Sequence, residues 1–412
     1  MNTDQIRIHQ RKSVAENARA IFDHAVASVD PRQAVKQAQI ELSDRPIYAI
    51  AIGKAAAAMA LGLEDALGEK LKACVVASGG HPLPDEKSLA SAQAAFALVD
   101  RADAEAASVV FLISGGGSAM IEWPVSDDIS LADLQVANRV LVSCGASIAE
   151  VNAVRRAFSA VKGGALARRA PRAQKLTLIV SDTNPGDEAS VASGPTLDPP
   201  AHAPAAIEVV EQYKLIDVLP RSIINAVNRF QKPTGKINGA HVVLLDNQTA
   251  IDAAVGKARE FVPSVTILKD VSEQPIQKGC DLLVSSLLSQ SGTFCAISGG
   301  EFSCPVRGDG RGGRNLETAL RCAISIDKQT NAQFVILSAG TDGIDGNSPA
   351  AGAVAGETTL QRARNLGLDA HDYLARSDSY TFFERLNDLI VTGPTGTNVR
   401  DLRILLRASL TH

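Results

Sequence analysis

Ser108-Val-Val-Phe-Leu-Ile-Ser-Gly-Gly-Gly-Ser-Ala-Met120 is the stretch on which the fold turns. Val109 to Ile113 is an unbroken apolar run with the length and β-branched content of a strand buried on both faces. It stops at Ser114, Gly115, Gly116 and Gly117, and Ser118 opens a segment able to be helical. A strand that feeds a helix through glycines leaves backbone N–H groups at the helix N-terminus, where the dipole also favours an anion. A single turn of this kind serves equally as a tight connection that binds nothing, but this chain makes it repeatedly.

Upstream, an apolar run at 47–52 is followed at once by Gly53-Lys54 and an alanine-rich helix. A second run, 73–77, ends in Ser78-Gly-Gly-His-Pro-Leu-Pro-Asp85. Downstream, helices expected near 130–144, 147–157 and 159–169 precede a strand at 176–180, which ends in Ser181-Asp-Thr-Asn-Pro-Gly-Asp-Glu188. This alternation predicts a parallel sheet covered by helices. Ligands of such sheets bind outside the carboxyl ends of the strands, where these turns lie. At the N-terminus, 3–27 predicts an amphipathic helix with Val14, Ala18, Ile21, Phe22 and Ala25 on one face.

Pro195, Pro199, Pro200, Pro204, Pro220 and Pro233 break the pattern between 193 and 240. The domain boundary is expected at the end of that segment, before a strand at 241–245, with the segment as hinge. Domains 1–238 and 239–412 follow. The second half is expected to repeat the style of the first, with strands at 264–268, 293–298, 334–338 and 389–391.

A chain of 412 residues is too long for one ordinary core. Charged residues make up 21% with a net charge of -4, and no basic cluster of the kind nucleic acid requires is present. Six scattered cysteines without a Cys-x-x-Cys pair are expected to be reduced, in a cytoplasmic protein. No apolar run is long enough for a bilayer.

There is no G-x-x-x-x-G-K-[ST] and no H-E-x-x-H. Gly308-Asp-Gly310-Arg-Gly-Gly313 fits G-x-G-x-x-G, but proline in the preceding Cys304-Pro305-Val306-Arg307 argues against the strand that a dinucleotide site needs. Arg311-Gly-Gly-Arg314-Asn315 places two guanidinium groups among glycines at the start of an expected helix, suited to phosphate or carboxylate oxygens or to a solvated loop. Lys54, followed by small residues only, can hold its ammonium over a phosphate or a developing negative charge. Asp182, Asp187, Glu188, Glu301, Asp342 and Asp345 lie just past strand ends, placed for metal ligation, ribose contacts, general-base work or helix capping. Together these are the parts for phosphoryl transfer, and the residues alone point to an enzyme that handles a phosphorylated or carboxylated small molecule, with or without Mg2+.

Ile52-Gly-Lys-Ala-Ala56, Ser78-Gly-Gly-His-Pro82, Leu112-Ile-Ser-Gly-Gly-Gly-Ser118, Ser181-Asp182 with Gly186-Asp187, Ala192-Ser-Gly-Pro-Thr196, Gly312-Gly-Arg-Asn315, Ala339-Gly-Thr-Asp-Gly-Ile-Asp-Gly346 and Thr392-Gly-Pro-Thr-Gly-Thr-Asn398 resemble, in order, the motifs of the glycerate 2-kinase family. Its C-terminal half is the MOFRL domain. The resemblance implies two α/β domains, an N-terminal Rossmann-like one with a largely parallel sheet and a C-terminal MOFRL one, with the active site in the cleft between them. It implies ATP-dependent phosphorylation of D-glycerate to 2-phospho-D-glycerate with Mg2+ or another divalent cation, and catalytic roles for Lys54 and Arg314. The phosphate- and substrate-binding set is then Ser78, Gly79, Gly80, His81, Ser114, Gly115, Gly116, Gly117, Ser118, Arg311 and Asn315. Metal ligands fall among Asp182, Asp187 and Asp342, with Glu301 and Asp345 as further strand-end acids. Met120-Ile-Glu-Trp-Pro124 and Asp182-Thr-Asn-Pro-Gly-Asp187 depart from the usual family form, so a kinase of a related small sugar acid stands as an alternative to a kinase of D-glycerate. Family members also carry the name hydroxypyruvate reductase, an NAD(P)H-dependent activity that stands as the alternative. Expected partners are a nucleotide and a hydroxy acid, with a homodimer allowed for and neither nucleic acid nor membrane.

Overall fold

The computed structural model describes residues 3–409 apart from Ser43, His81, Lys328, Thr330 and Asn331, with side chains from Val14 onward. The chain forms two compact units, Pro31–Leu245 and Met1–Asp30 together with Asp246–His412.

The first unit is built on a five-stranded sheet of β1 (Ile47–Ile52), β2 (Leu71–Val76), β3 (Ser108–Ser114), β4 (Gln174–Val180) and β5 (Ala240–Leu245). Its order is β2-β1-β3-β4-β5 and every pairing is parallel. β1 and β3 are buried along their whole length, as the unbroken apolar runs predict. Tyr48, Ile50, Ile52, Val109, Phe111 and Ile113 pack with Ala92, Ala95, Phe96 and Val99 of the helix Glu86–Ala104. That helix begins at a capping box, in which Asp85 accepts from the Ser88 N–H.

The helices Leu131–Ser143, Ile148–Phe158, Ala206–Gln212 and Arg221–Arg229 share a second core that includes Leu134, Val154, Phe158, Val209, Ile223 and Val227. The proline-rich segment therefore does not lead out of this unit. Its helices close over Ile148–Phe158, and it returns the chain to β5, which pairs with β4 from Leu176–Ala240 to Val180–Leu245. The strand expected to start the second domain is thus the edge of the first sheet. Apolar spacing shows that a strand exists; only its partner assigns it to a unit.

The second unit carries β6 (Val265–Ile267), β7 (Phe294–Gly300), β8 (Ala332–Gly340), β9 (Gly352–Gly356), β10 (Leu389–Ile390) and β11 (Asp401–Ser409), in the order β10-β9-β8-β11-β7-β6. Only β6 and β7 pair in parallel; β11 runs antiparallel to both β7 and β8, and β9 antiparallel to β8 and β10. The second half thus repeats the strand–helix style of the first but not its all-parallel pairing. The reason is β11, a buried central strand whose apolar pattern is interrupted by Arg403 and Arg407. The N-terminal helix Thr3–Ser28 joins this unit, packing on the helix Asn247–Ala258 and on β8 and β11, with Ala18, Ile21, Phe22 and Ala25 buried. The compact units thus differ from consecutive segments 1–238 and 239–412 at both ends.

All six cysteines are free. Among the described residues no helix is long and apolar enough to cross a membrane.

Candidate active site

In the first unit, β1 and β3 are neighbours while β2 lies outside them, so the direction of winding reverses between the turns that leave β1 and β3. At that reversal the two connections diverge to opposite faces and open a crevice, the usual ligand position of a doubly wound sheet. The turns are tied together there. The Lys54 N–H donates to the Gly115 carbonyl (2.9 Å), and the Ala55 N–H to Ser114 Oγ (3.0 Å), which itself donates to the Ile52 carbonyl (3.3 Å). Ser114 is fully buried, so its hydroxyl is a structural tie within this set. Gly53 has φ +114°, and a Cβ there would overlap Ser114, which makes glycine obligatory at this crossing.

The glycines after β3 leave room for two charged side chains that lie against them. A Cβ at Gly115 would overlap the Asp182 carboxylate, and one at Gly116 would sit 3.0 Å from Lys54 Cγ. Among the described residues no acceptor takes the N–H of Gly116, Gly117 or Ser118. No helix follows this turn, the next being Leu131–Ser143, but successive backbone donors beside an exposed lysine and a carboxylate are an arrangement able to hold an oxyanion. Ser118 Oγ is 2.6 Å from Ser193 Oγ, which donates to Asn152 Oδ1 (2.8 Å). Ala192 and Ser193 both adopt the left-handed conformation, at φ +51° and +62°, so local strain is held directly behind the turn. Asn152 was invisible to sequence reasoning because it sits on a different helix.

The turn after β2 is joined to this one through the Gly79 N–H, which donates to the Met120 carbonyl (3.1 Å). The Gly80 N–H is spent on Asp85 and, with the Ser88 bonds, holds that carboxyl below its ordinary range. Ser78 is exposed, and His81 lies outside the described residues. Asp187 is exposed, further along the loop that Asp182 begins.

In the second unit, Arg314 is the first residue of the helix Arg314–Ser325. Its Nε donates to Asp401 Oδ2 (2.6 Å), and its Nη2 to Asp401 Oδ1 (3.1 Å) and Glu301 Oε1 (2.7 Å). Asp401 opens β11 opposite Gly300 and Gly340, so two strand ends present carboxylates to one guanidinium. Burial opposes the charge on Arg314, but Asp401 and then Glu301 outweigh it and raise the pKa. Asp401 escaped sequence reasoning because it carries no glycine-turn signature.

The N-terminus of this helix is already occupied. Asp345 accepts from the N–H of Asn315 (3.1 Å) and of Leu316 (2.8 Å), so the protein's own carboxylate takes the place expected for an anion. Burial, reinforced by Asp401, pushes the Asp345 carboxyl up to about 7 against those two bonds and Arg314. Asn315 is buried, accepting from Ser338 Oγ (2.7 Å) and donating to Asp345. Arg311 is exposed with its guanidinium 4.2 Å from the Tyr380 ring centre. Asp342 accepts from the Ile344 N–H (3.2 Å) in a local turn. A cavity of about 350 Å³ opens beside Arg314, lined also by Gly312, Gly313, Glu317, Asp345 and Asn347. No strand lies between β7 and Gly308 among the described residues, so Gly308–Gly313 is not the strand–turn–helix of a dinucleotide fingerprint.

Two domain families match the chain in order: a domain of unknown function, DUF4147, over residues 17–228, and the MOFRL family over residues 294–401. A protein of Agrobacterium vitis provisionally named a hydroxypyruvate reductase is 35% identical over 422 residues, covering 96% of this chain and 94% of that protein. The D-glycerate 2-kinase of Thermotoga maritima is 32% identical over 431 residues, covering 95% and 98%. The crystal structure of a glycerate kinase from Thermotoga maritima superposes with a TM-score of 0.81 at 31% identity, over 96% of this chain and 99% of that one. Similarity that runs end to end through both domains places the chain in the glycerate 2-kinase family, with a DUF4147 domain joined to a MOFRL domain.

Proposed function

We propose that the protein is an ATP-dependent kinase that transfers a phosphoryl group to the C2 hydroxyl of D-glycerate, giving 2-phospho-D-glycerate and ADP. The observation that carries this reading is the turn after β3, with the backbone donors of Gly116, Gly117 and Ser118 open, Lys54 across Gly116 and Asp182 against Gly115. Phosphoryl transfer spreads charge over the equatorial and leaving oxygens, so catalysis rests on positioned donors and cations more than on covalent chemistry. In this reading the open backbone donors orient the phosphate chain and the Lys54 ammonium neutralises charge as it develops. Arg314, pre-set by Asp401 and Glu301, presents a guanidinium that cannot lose its proton at working pH. Preset geometry removes the need to reorganise these groups during transfer.

Among the described residues no group of three His, Cys, Asp or Glu side chains is placed to hold a metal. That donor set still fits Mg2+, which takes one or two carboxylates and completes its shell with water and phosphate oxygens. Asp182 is the carboxylate beside the proposed phosphate position, with Asp187 and Asp342 as further candidates. When bound, Mg2+ supplies charge neutralisation on the phosphate oxygens.

The purified protein should convert ATP, Mg2+ and D-glycerate to ADP and 2-phosphoglycerate, identified by 31P NMR. Oxidation of NADH by hydroxypyruvate without consumption of ATP would overturn this reading. Turnover restricted to a longer sugar acid would keep the kinase and change the acceptor.

A further inference from the structure

Apart from the turns, the first unit contains a cavity of about 540 Å³ between the helix Ile148–Phe158, the loop 199–206 and the segment that ends at Pro233. Its wall is mostly apolar and includes Val125, Ile207, Val227 and Phe230. Two of the basic side chains on it differ in kind. Lys162 is fully buried and bonded to Glu122, so its charge is neutralised from within. Arg156 is half-buried and lies folded over Gly163, where a Cβ would overlap its Cδ. Among the described residues no carboxylate, carbonyl or amide oxygen accepts from its guanidinium. Its neighbours are provided for: Arg155 donates to Asn138 Oδ1 (3.0 Å), and Arg168 pairs with Asp198.

A cation drawn part-way out of water with no counter-charge is held at a free-energy cost, and burial depresses the Arg156 pKa accordingly. A ligand that brings one negative charge and an apolar body removes that cost and fills the space in the same step. A phosphate dianion asks for several donors, and the remaining basic group at the wall, Lys232, is exposed. We propose that this cavity binds a small apolar monocarboxylate, its carboxylate on the Arg156 guanidinium and its hydrocarbon body against Val125, Ile207, Val227 and Phe230. The site is separate from the turn after β3 and independent of the kinase reading.

The chain has a single tryptophan, Trp123. It lies two residues before Val125, and its carbonyl accepts from the N–H of Ala160, another wall residue, at 2.8 Å. Its ring packs against Phe96, 6.3 Å between centroids, so its emission serves as a secondary readout beside calorimetric heat. The full-length protein is titrated with octanoate, 3-phenylpropionate and octan-1-ol, following Trp123 emission and calorimetric heat. The expected result is saturable one-to-one binding of at least one carboxylate, with the alcohol at least tenfold weaker. An aliphatic ligand is distinguished from an aromatic one by which acid binds tighter. Arg156→Gln should weaken the acid at least tenfold and leave the alcohol unchanged, Arg156→Lys should restore part of the loss, and Lys232→Ala should change little. Circular dichroism checks that each variant folds, and the acid-to-alcohol ratio in the unaltered protein stands whether or not a variant does. Absence of saturable binding, equal affinity for acid and alcohol, or unchanged acid affinity in folded Arg156→Gln would overturn the proposal. So would displacement of the acid by D-glycerate, because the cavity would then be the acceptor site.

Discussion

The Arg314 guanidinium is gripped by both oxygens of Asp401, at 2.6 and 3.1 Å, which ties the first residue of a helix to the first residue of a central strand. Asp401 is 1% exposed, while a third of the Arg314 side chain remains open to solvent. The acid thus acts as an anchor and leaves one edge of the cation available. Asp401→Asn keeps the shape and removes the charge, so kcat should fall roughly tenfold or more with a smaller change in KM, since a misaimed donor loses transition-state contacts first. Steady-state kinetics with D-glycerate check this, and an unchanged kcat would make the pair purely structural.

Lys54→Ala and Arg314→Ala should each lower kcat by roughly two or more orders of magnitude. Their effects on stability should differ. Lys54 is exposed, so its loss should leave the melting temperature nearly unchanged. Loss of Arg314 leaves Asp401 in the interior with Arg403, 3.7 Å away, as its remaining ion-pair partner among the described residues, and should destabilise the fold by roughly 1–3 kcal/mol. Paired kinetic and thermal-denaturation measurements separate the two. Normal turnover in either variant would remove that residue from the catalytic set.

Arg311 provides the contrast within the same loop. Its guanidinium rests on Tyr380 at the surface, and among the described residues no carboxylate fixes it in place. Arg311→Ala should raise KM more than it lowers kcat. An inactive Arg311→Ala beside an active Arg314→Ala would reverse the assignment of the two arginines.

Two glycines of one turn should fail in different ways. Gly115→Ala drives a methyl into the Asp182 carboxylate, so activity should drop at least tenfold while stability changes little, because Asp182 is partly exposed and can swing aside. In Gly117→Ala the new methyl lies 2.8 Å from Ile52 Cγ2 and 2.9 Å from Ala192 Cβ, in packed core, and overpacking should cost about 1–3 kcal/mol. Comparing kcat and denaturant midpoints for both variants tests whether Asp182 acts at this turn.

Asp345 should give stability a dependence on pH that runs opposite to that of a salt-bridged carboxylate. Its carboxyl titrates near 7 in the folded state against an ordinary 3.8, so folding takes up a proton between those values. The contribution is full below about pH 4, declines on the order of 1 kcal/mol per pH unit through the window, and is gone above about pH 7. Asp345→Asn, neutral throughout, should remove that slope. Urea midpoints from pH 4 to 8 for both proteins measure it, and parallel curves would mean that Asp345 stays ionised across the range.

Much of the first unit was legible from spacing. Val109–Ile113 and Ile47–Ile52 are unbroken apolar runs, and such runs are what a strand buried on both faces requires, so both strands lie where the sequence puts them. The glycines after β3 were legible as a turn for the same local reason. What they make room for was not: Asp182 and Lys54 meet that turn only because β4 and β1 both flank β3 in the sheet. β5 has an ordinary strand sequence, and only its register against β4 decides which unit owns it. β11 was hidden because Arg403 and Arg407 interrupt its apolar pattern. The interior tolerates Arg403 because its guanidinium donates to the carbonyls of Gly299 (2.7 Å) and Gly300 (3.1 Å) and lies 3.6 Å from the Phe302 ring centre, all on another part of the chain. The sequence alone determined the strands that are unbroken apolar runs and the glycine turns that end them, because these depend on neighbours a few residues apart. The tertiary structure decided the partners of β5, the central place of β11 and the anchoring of Arg314 by Asp401, because these depend on charges and backbone groups that meet only when distant segments pack.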